Sequence, residues 1–151
     1  MIRKTMAALL AATLLVGMTA STALAARPIV VHTTFMTGAA EVPGPGDSDA
    51  FGVAVVLVVP RTDKVCWAVT WNRVDGTVHM AHIHGPAGTD ATAPPVVVLF
   101  MDEARPGRGV DTGCVTSPEW ADRIAADPEQ FYVNVHSLPD FGPGAIRGQL
   151  H

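Results

Sequence analysis

His82-Ile83-His84, followed at once by Gly85-Pro86, sets two imidazoles one residue apart. Residues two apart on a β-strand point to the same face, so an extended His-x-His carries its rings side by side. A third histidine, His136, closes a second strand-like run, Phe131-Tyr132-Val133-Asn134-Val135-His136. If these strands are neighbours, the rings make a nitrogen donor set suited to copper or zinc. The same rings would also serve as a polar ladder without a ligand, bonded to one another, to Asn134 and to backbone carbonyls.

Parity narrows the set. In the first run Met80, His82 and His84 share a face and Ala81 and Ile83 the other; in the second, Tyr132, Asn134 and His136 oppose Val133 and Val135. Both strands therefore turn their histidines away from an apolar side, as a shared polar site requires. His79 falls on the opposite face and reads as a surface residue. His32 and His151 read as incidental, although His32 lies on a strand. Arg147, in Gly144-Ala145-Ile146-Arg147-Gly148-Gln149-Leu150, sits on a strand that a short turn pairs with the His136 strand. Beside a metal it would guide a small anion such as superoxide; away from one it would form an ion pair, with Glu41 among the partners. Neither Gly85-Pro86-Ala87-Gly88 nor Gly142-Pro143-Gly144 leads from a strand into a helix, so both read as turns rather than phosphate cradles. There is no Gly-x-Ser-x-Gly elbow and no paired-carboxylate couple, and a zinc hydrolase would lack an evident general base.

The elements that must position these groups are strands. Apolar, β-branched runs at 29–37, 51–59, 65–71, 77–84, 95–101, 110–115, 131–137 and 145–150 alternate with proline- and glycine-rich turns. The near-continuous valines of 51–59 suggest a strand buried on both faces or deep in a sandwich. Trp67 and Trp71 alternate with Val69 and read as core. One short helix is expected at 118–126, with Ser117 as N-cap, Pro118 at the first position, Trp120, Ala121 and Ile124 inward, and Asp127-Pro128 as its stop. The pattern predicts an all-β fold, an antiparallel Greek-key-like sandwich or flattened barrel of about eight strands.

Met1-Ile2-Arg3-Lys4, an apolar stretch over 6–19 and the small-x-small pattern Ala23-Leu24-Ala25 read as a signal peptide at 1–25, leaving a single domain at 26–151. The apolar stretch is too short for a membrane span. Without Arg3 and Lys4 the chain carries 8 basic against 14 acidic residues, which disfavours nucleic acid and anionic membranes as partners. In an exported chain the two cysteines, Cys66 and Cys114, most simply form one disulfide; two buried free thiols are the other reading.

Gly38-Ala39-Ala40-Glu41-Val42-Pro43, Ala81-His82-Ile83-His84-Gly85-Pro86-Ala87, Val96-Val97-Val98-Leu99-Phe100, Tyr132-Val133-Asn134-Val135-His136-Ser137 and the Gly144–Leu150 run together resemble the CHRD domain, the chordin-type module of exported bacterial proteins. Departures are small: Ser137 stands where Thr is usual, Gly44 replaces a second proline, and Ala145 stands where Glu is frequent. The resemblance implies an immunoglobulin-like barrel or sandwich and leaves the activity open. A weaker similarity, to the copper side of copper-only and Cu,Zn superoxide dismutases, implies copper on His82, His84 and His136, anion guidance by Arg147 and superoxide dismutation. The zinc-bridging histidine and zinc-ligand loop of those enzymes are missing, so the pattern supports copper alone. A copper donor would then be a partner. Without metal, the chain would be a binding or structural module for another extracellular protein or polymer.

Overall fold

Valine-rich runs and Pro/Gly turns resolve into eight strands in a computed structural model that describes residues 27–102 and 104–151. The strands are β1 (Val30–Thr37), β2 (Phe51–Val59), β3 (Lys64–Asn72), β4 (Thr77–His84), β5 (Pro95–Phe100), β6 (Gly109–Thr116), β7 (Tyr132–Leu138) and β8 (Phe141–Gln149). They form a single antiparallel sheet in the order β5-β4-β7-β8-β1-β2-β3-β6, rolled into a nearly closed barrel. The expected leader, 1–25, lies outside the described residues.

The barrel interior collects one side chain in two from each central strand: Ala54, Val56 and Val58 from β2, Val65, Val69 and Trp71 from β3, Ala81 and Ile83 from β4, Val133 and Val135 from β7. Strand β2 is not buried on both faces as its valines suggested. Gly52, Ala54, Val56 and Val58 are buried, whereas Phe51 and Val53 are exposed, because among the described residues no second sheet covers the outside of β1 and β2. The seam between the sheet edges is drawn together by Arg105. Its backbone pairs with Val78, and its guanidinium lies 4.1 Å over Phe100 and donates to Asp111 Oδ2 at 2.8 Å.

The helix α1 (Ala121–Ala126) is shorter than expected and buries Ala121 and Ile124. Residues 118–120 form a turn, with Ser117 O accepting from Trp120 N and Ala121 N. Gly142-Pro143-Gly144 lies inside β8, and the chain reverses one step earlier, at Pro139-Asp140. That displacement creates an irregularity between Val135 and Ser137 in the β7–β8 pairing.

Cys66 and Cys114 form a disulfide directly across β3 and β6, spanning 48 residues. Cross-linking over this separation restricts the unfolded chain, and the loop-entropy relation assigns it about 3–4 kcal/mol. A Cys66→Ser/Cys114→Ser variant is expected to lose that amount in urea unfolding. An unchanged midpoint would mean that strand pairing alone accounts for the stability of this edge.

Candidate metal centre

The barrel topology places β4 beside β7, although some fifty residues separate them in the chain. Their register sets Met80 against His136, His82 against Asn134 and His84 against Tyr132. With Ala81, Ile83, Val133 and Val135 filling the barrel, the alternate side chains stand on its outer face. That face is covered all the same. The chain after β4 folds back over it: Ala93 N donates to Tyr132 Oη, Arg147 donates to Ala91 O and Gly88 O, and Gln149 Nε2 donates to Ala87 O. The result is a polar layer between sheet and loop in which His82, His84 and His136 are 4, 9 and 6% exposed.

Each of the three histidines offers one nitrogen, and these atoms lie within 4.8 Å of one another. His82 Nδ1 and His136 Nε2 are 3.3 Å apart, close to the separation of two nitrogens at tetrahedral positions on an ion about 2.0 Å away. The ring centres are 5.2, 5.4 and 6.0 Å apart, so one point lies about 3.2 Å from all three. A metal bound roughly 2.0–2.1 Å from a ring nitrogen stands at about that distance from the ring centre. The widest nitrogen separation, 4.8 Å, must close by about 1.5 Å to bring all three onto tetrahedral positions of one ion.

The outer nitrogens determine the tautomers. His84 Nδ1 is 2.9 Å from Ala93 O and His136 Nδ1 is 2.9 Å from Gly142 O. A carbonyl oxygen only accepts, so both Nδ1 atoms carry hydrogen and both Nε2 atoms present lone pairs. This is the arrangement that aims a histidine ligand at a metal. His82 Nε2 and His84 Nε2 are buried without a hydrogen-bond partner. Unpartnered buried polar atoms cost on the order of 1–3 kcal/mol each, so a wholly self-satisfied ladder does not describe this cluster.

Arg147 is 1% exposed and does not open toward solvent. Nη1 donates to Ala91 O and Nη2 to Gly88 O and Gln149 Oε1, while the guanidinium lies 3.5 Å over the Tyr132 ring. Tyr132 in turn stacks on His84, at 4.9 Å and 4° between planes. Arginine, tyrosine and histidine thus form one stack that holds the plane of the His84 ring. Glu41 accepts from Asn134 Nδ2, packed so closely that a Cβ at Gly144 would lie 2.5 Å from its Oε2. The backbone carbonyls of Ala93 and Gly142 were not legible in the sequence, since loop folding and the β8 irregularity bring them to the rings.

His79 departs from its expected placement. Val78 pairs with Ser137 and Met80 with His136, so His79 is the additional residue of a β-bulge. The bulge breaks the alternation: Val78, Ala81 and Ile83 are all buried in the core, a spacing of three and then two. His79 is consequently half-buried, with its ring centre 6.3 Å from that of His136. The three-residue step from Val78 to Ala81 was the available signal. His32 is buried on β1, where it pairs with Val56, and is not among the clustered ligands; His151 is exposed.

Burial, followed by the neighbouring histidines, lowers His82 to about 4. Burial also lowers His136 to about 4 against its bond to Gly142, and lowers His84 against its bond to Ala93. All three rings are therefore neutral at neutral pH. Glu41 is shifted the other way: burial raises it to about 8 against the Arg147 charge and the Asn134 bond. An imidazole titrating near 4 when folded and near 6.5 when unfolded gains a proton on unfolding throughout that window. The histidine contribution is thus present above pH 6.5 and lost as pH falls toward 4. Glu41 opposes it, contributing at acid pH and losing its contribution as pH rises from 4.5 to about 8. In metal-free Glu41→Gln protein, urea unfolding is expected to weaken by up to about 1.4 kcal/mol per pH unit per histidine on acidification across this window. A flat profile would show that the rings titrate alike in both states.

A family model described as the CHRD domain matches residues 32–150. No curated protein and no solved structure matches the chain.

Proposed function

The chain belongs to the CHRD-domain family, and we propose that it is an exported protein holding one copper ion on His82, His84 and His136. The observation that carries this reading is the trio of buried neutral imidazoles, two of them anchored through Nδ1–H on backbone carbonyls, with His84 Nε2 unpartnered and His136 Nε2 facing His82 Nδ1 at 3.3 Å. An all-nitrogen set without carboxylate or thiolate suits copper, and copper(II) outranks zinc in affinity for such donors. Export is supported by the Cys66–Cys114 disulfide, which persists in oxidising compartments. It is also supported by the leader pattern at 1–25, with the single domain at 26–151 behind it.

His84 and His136 would bind through Nε2, and His82 through the nitrogen that its rotamer turns inward. Bound copper would supply one-electron redox chemistry, the basis of a superoxide dismutase-like activity. The chain's own contribution is to hold three rings in a dry layer and to keep them unprotonated. Arg147 fits a positioning role better than anion guidance, because its Nη atoms are committed to oxygens and its face to Tyr132.

Purified domain is expected to bind one equivalent of Cu(I) or Cu(II) in chelator competition, and His82→Ala/His84→Ala to bind at least about 100-fold more weakly. Equal affinities would overturn the site. Superoxide turnover by the loaded protein, measured beside its unloaded form, then tests the catalytic reading.

For Arg147→Ala, a positioning role predicts weaker copper affinity and lower urea stability. Anion guidance predicts unchanged affinity, with superoxide turnover that falls and loses its dependence on ionic strength.

A further inference from the structure

The copper reading leaves a physical difficulty: the three ligands are almost completely buried, yet an ion must reach them. The β4 bulge bears on this. It inserts His79 beside Met80, turns it from the core-and-solvent alternation of the strand and brings its ring edge-on to His136. His79 Nδ1 is buried and has no hydrogen-bond partner. The same residue remains half exposed and lines an open depression of about 320 Å³ with Thr77, Asp102, Ala104 and Leu138. One histidine therefore touches both solvent and the buried cluster, with the Asp102 carboxylate in the same depression to attract a cation.

Resting on the copper reading of the triad, we infer that His79 is the port ligand of the site: it takes copper from solution or from a donor and passes it to His136 and His82. The transfer exchanges metal–nitrogen bonds without a change of oxidation state. A bond to His79 forms as the incoming ligand leaves, and it breaks as the inner imidazoles bind. Bulges recur where a strand re-aims a side chain at a functional site, and a fully regular β4 would direct residue 79 away from the cluster. A port ligand lies on the path in both directions, so it speeds loading and release alike and leaves equilibrium affinity nearly unchanged.

The test follows Cu(I) as it leaves a coloured chelator complex for the protein, and as a stronger chelator removes it again. His79→Ala is expected to slow both steps by about tenfold, with the equilibrium constant within about threefold of wild type. His79→Met, which returns a copper-binding thioether, is expected to recover most of the rate. Loading of His79→Ala at the wild-type rate, while His82→Ala/His84→Ala has lost its affinity, would overturn the port and leave the triad standing. Lower affinity at unchanged loading rate, or failure of methionine to recover the rate, would make His79 a structural residue and also overturn the inference. Wild-type protein that retains no copper would remove the triad and the port together.

Discussion

The antiparallel register of β4 against β7 is the constraint on which the histidine layer depends. Side chains alternate along a strand, so slipping β4 by one residue would expose Ala81 and Ile83, and slipping β7 would expose Val133 and Val135, each driving that strand's histidines into the barrel. The apolar interior therefore enforces the alignment of a polar site it does not touch. The rings are ordered by what lies on the far side of their own backbone, and hydrophobic burial, rather than any attraction among imidazoles, selects the pairing.

Register brings the rings together, and the cover keeps them in a state that can bind. The loop after β4 is tied down by Arg147 and Gln149, both from β8 and both donating to its carbonyls. That loop returns Ala93 O to His84, while β8 returns Gly142 O to His136. Two Nδ1 atoms are thereby occupied and two Nε2 atoms turned to the cluster. Burial of Arg147 is tolerable because its charge is spread over three oxygens and an aromatic face, which makes it a brace between the loop and the Tyr132–His84 stack. Desolvation of the layer disfavours protons on the histidines, and the same desolvation keeps one on Glu41.

Regularity fails in the β4–β5, β4–β7 and β7–β8 pairings, and the last two breaks lie at the border of this layer. The β8 irregularity presents a carbonyl to His136, and the β4 bulge presents His79. A perfect ladder would have satisfied those backbone groups within the sheet and kept residue 79 on a regular face. Departures from the ladder thus supply what alternation alone does not: an anchor for one ligand and a link to solvent for the cluster.

Strand content, the short helix, the disulfide and the shared parity of His82, His84 and His136 follow from the sequence alone. Each rests on a local rule: β-branched periodicity, turn chemistry, the pairing of two cysteines, or the two-residue repeat of a strand. Boundaries moved where neighbours rather than propensity decided them, as at α1 and the start of β8. Exposure of one face of β2 depended on a second sheet that the barrel does not have. Only the tertiary structure decided that β4 lies against β7, that a loop closes over the outer face, that Arg147 turns inward, and that a bulge brings His79 up to His136. Those outcomes depend on contacts between segments far apart in the chain, and a local residue pattern carries no record of which distant backbone will meet it.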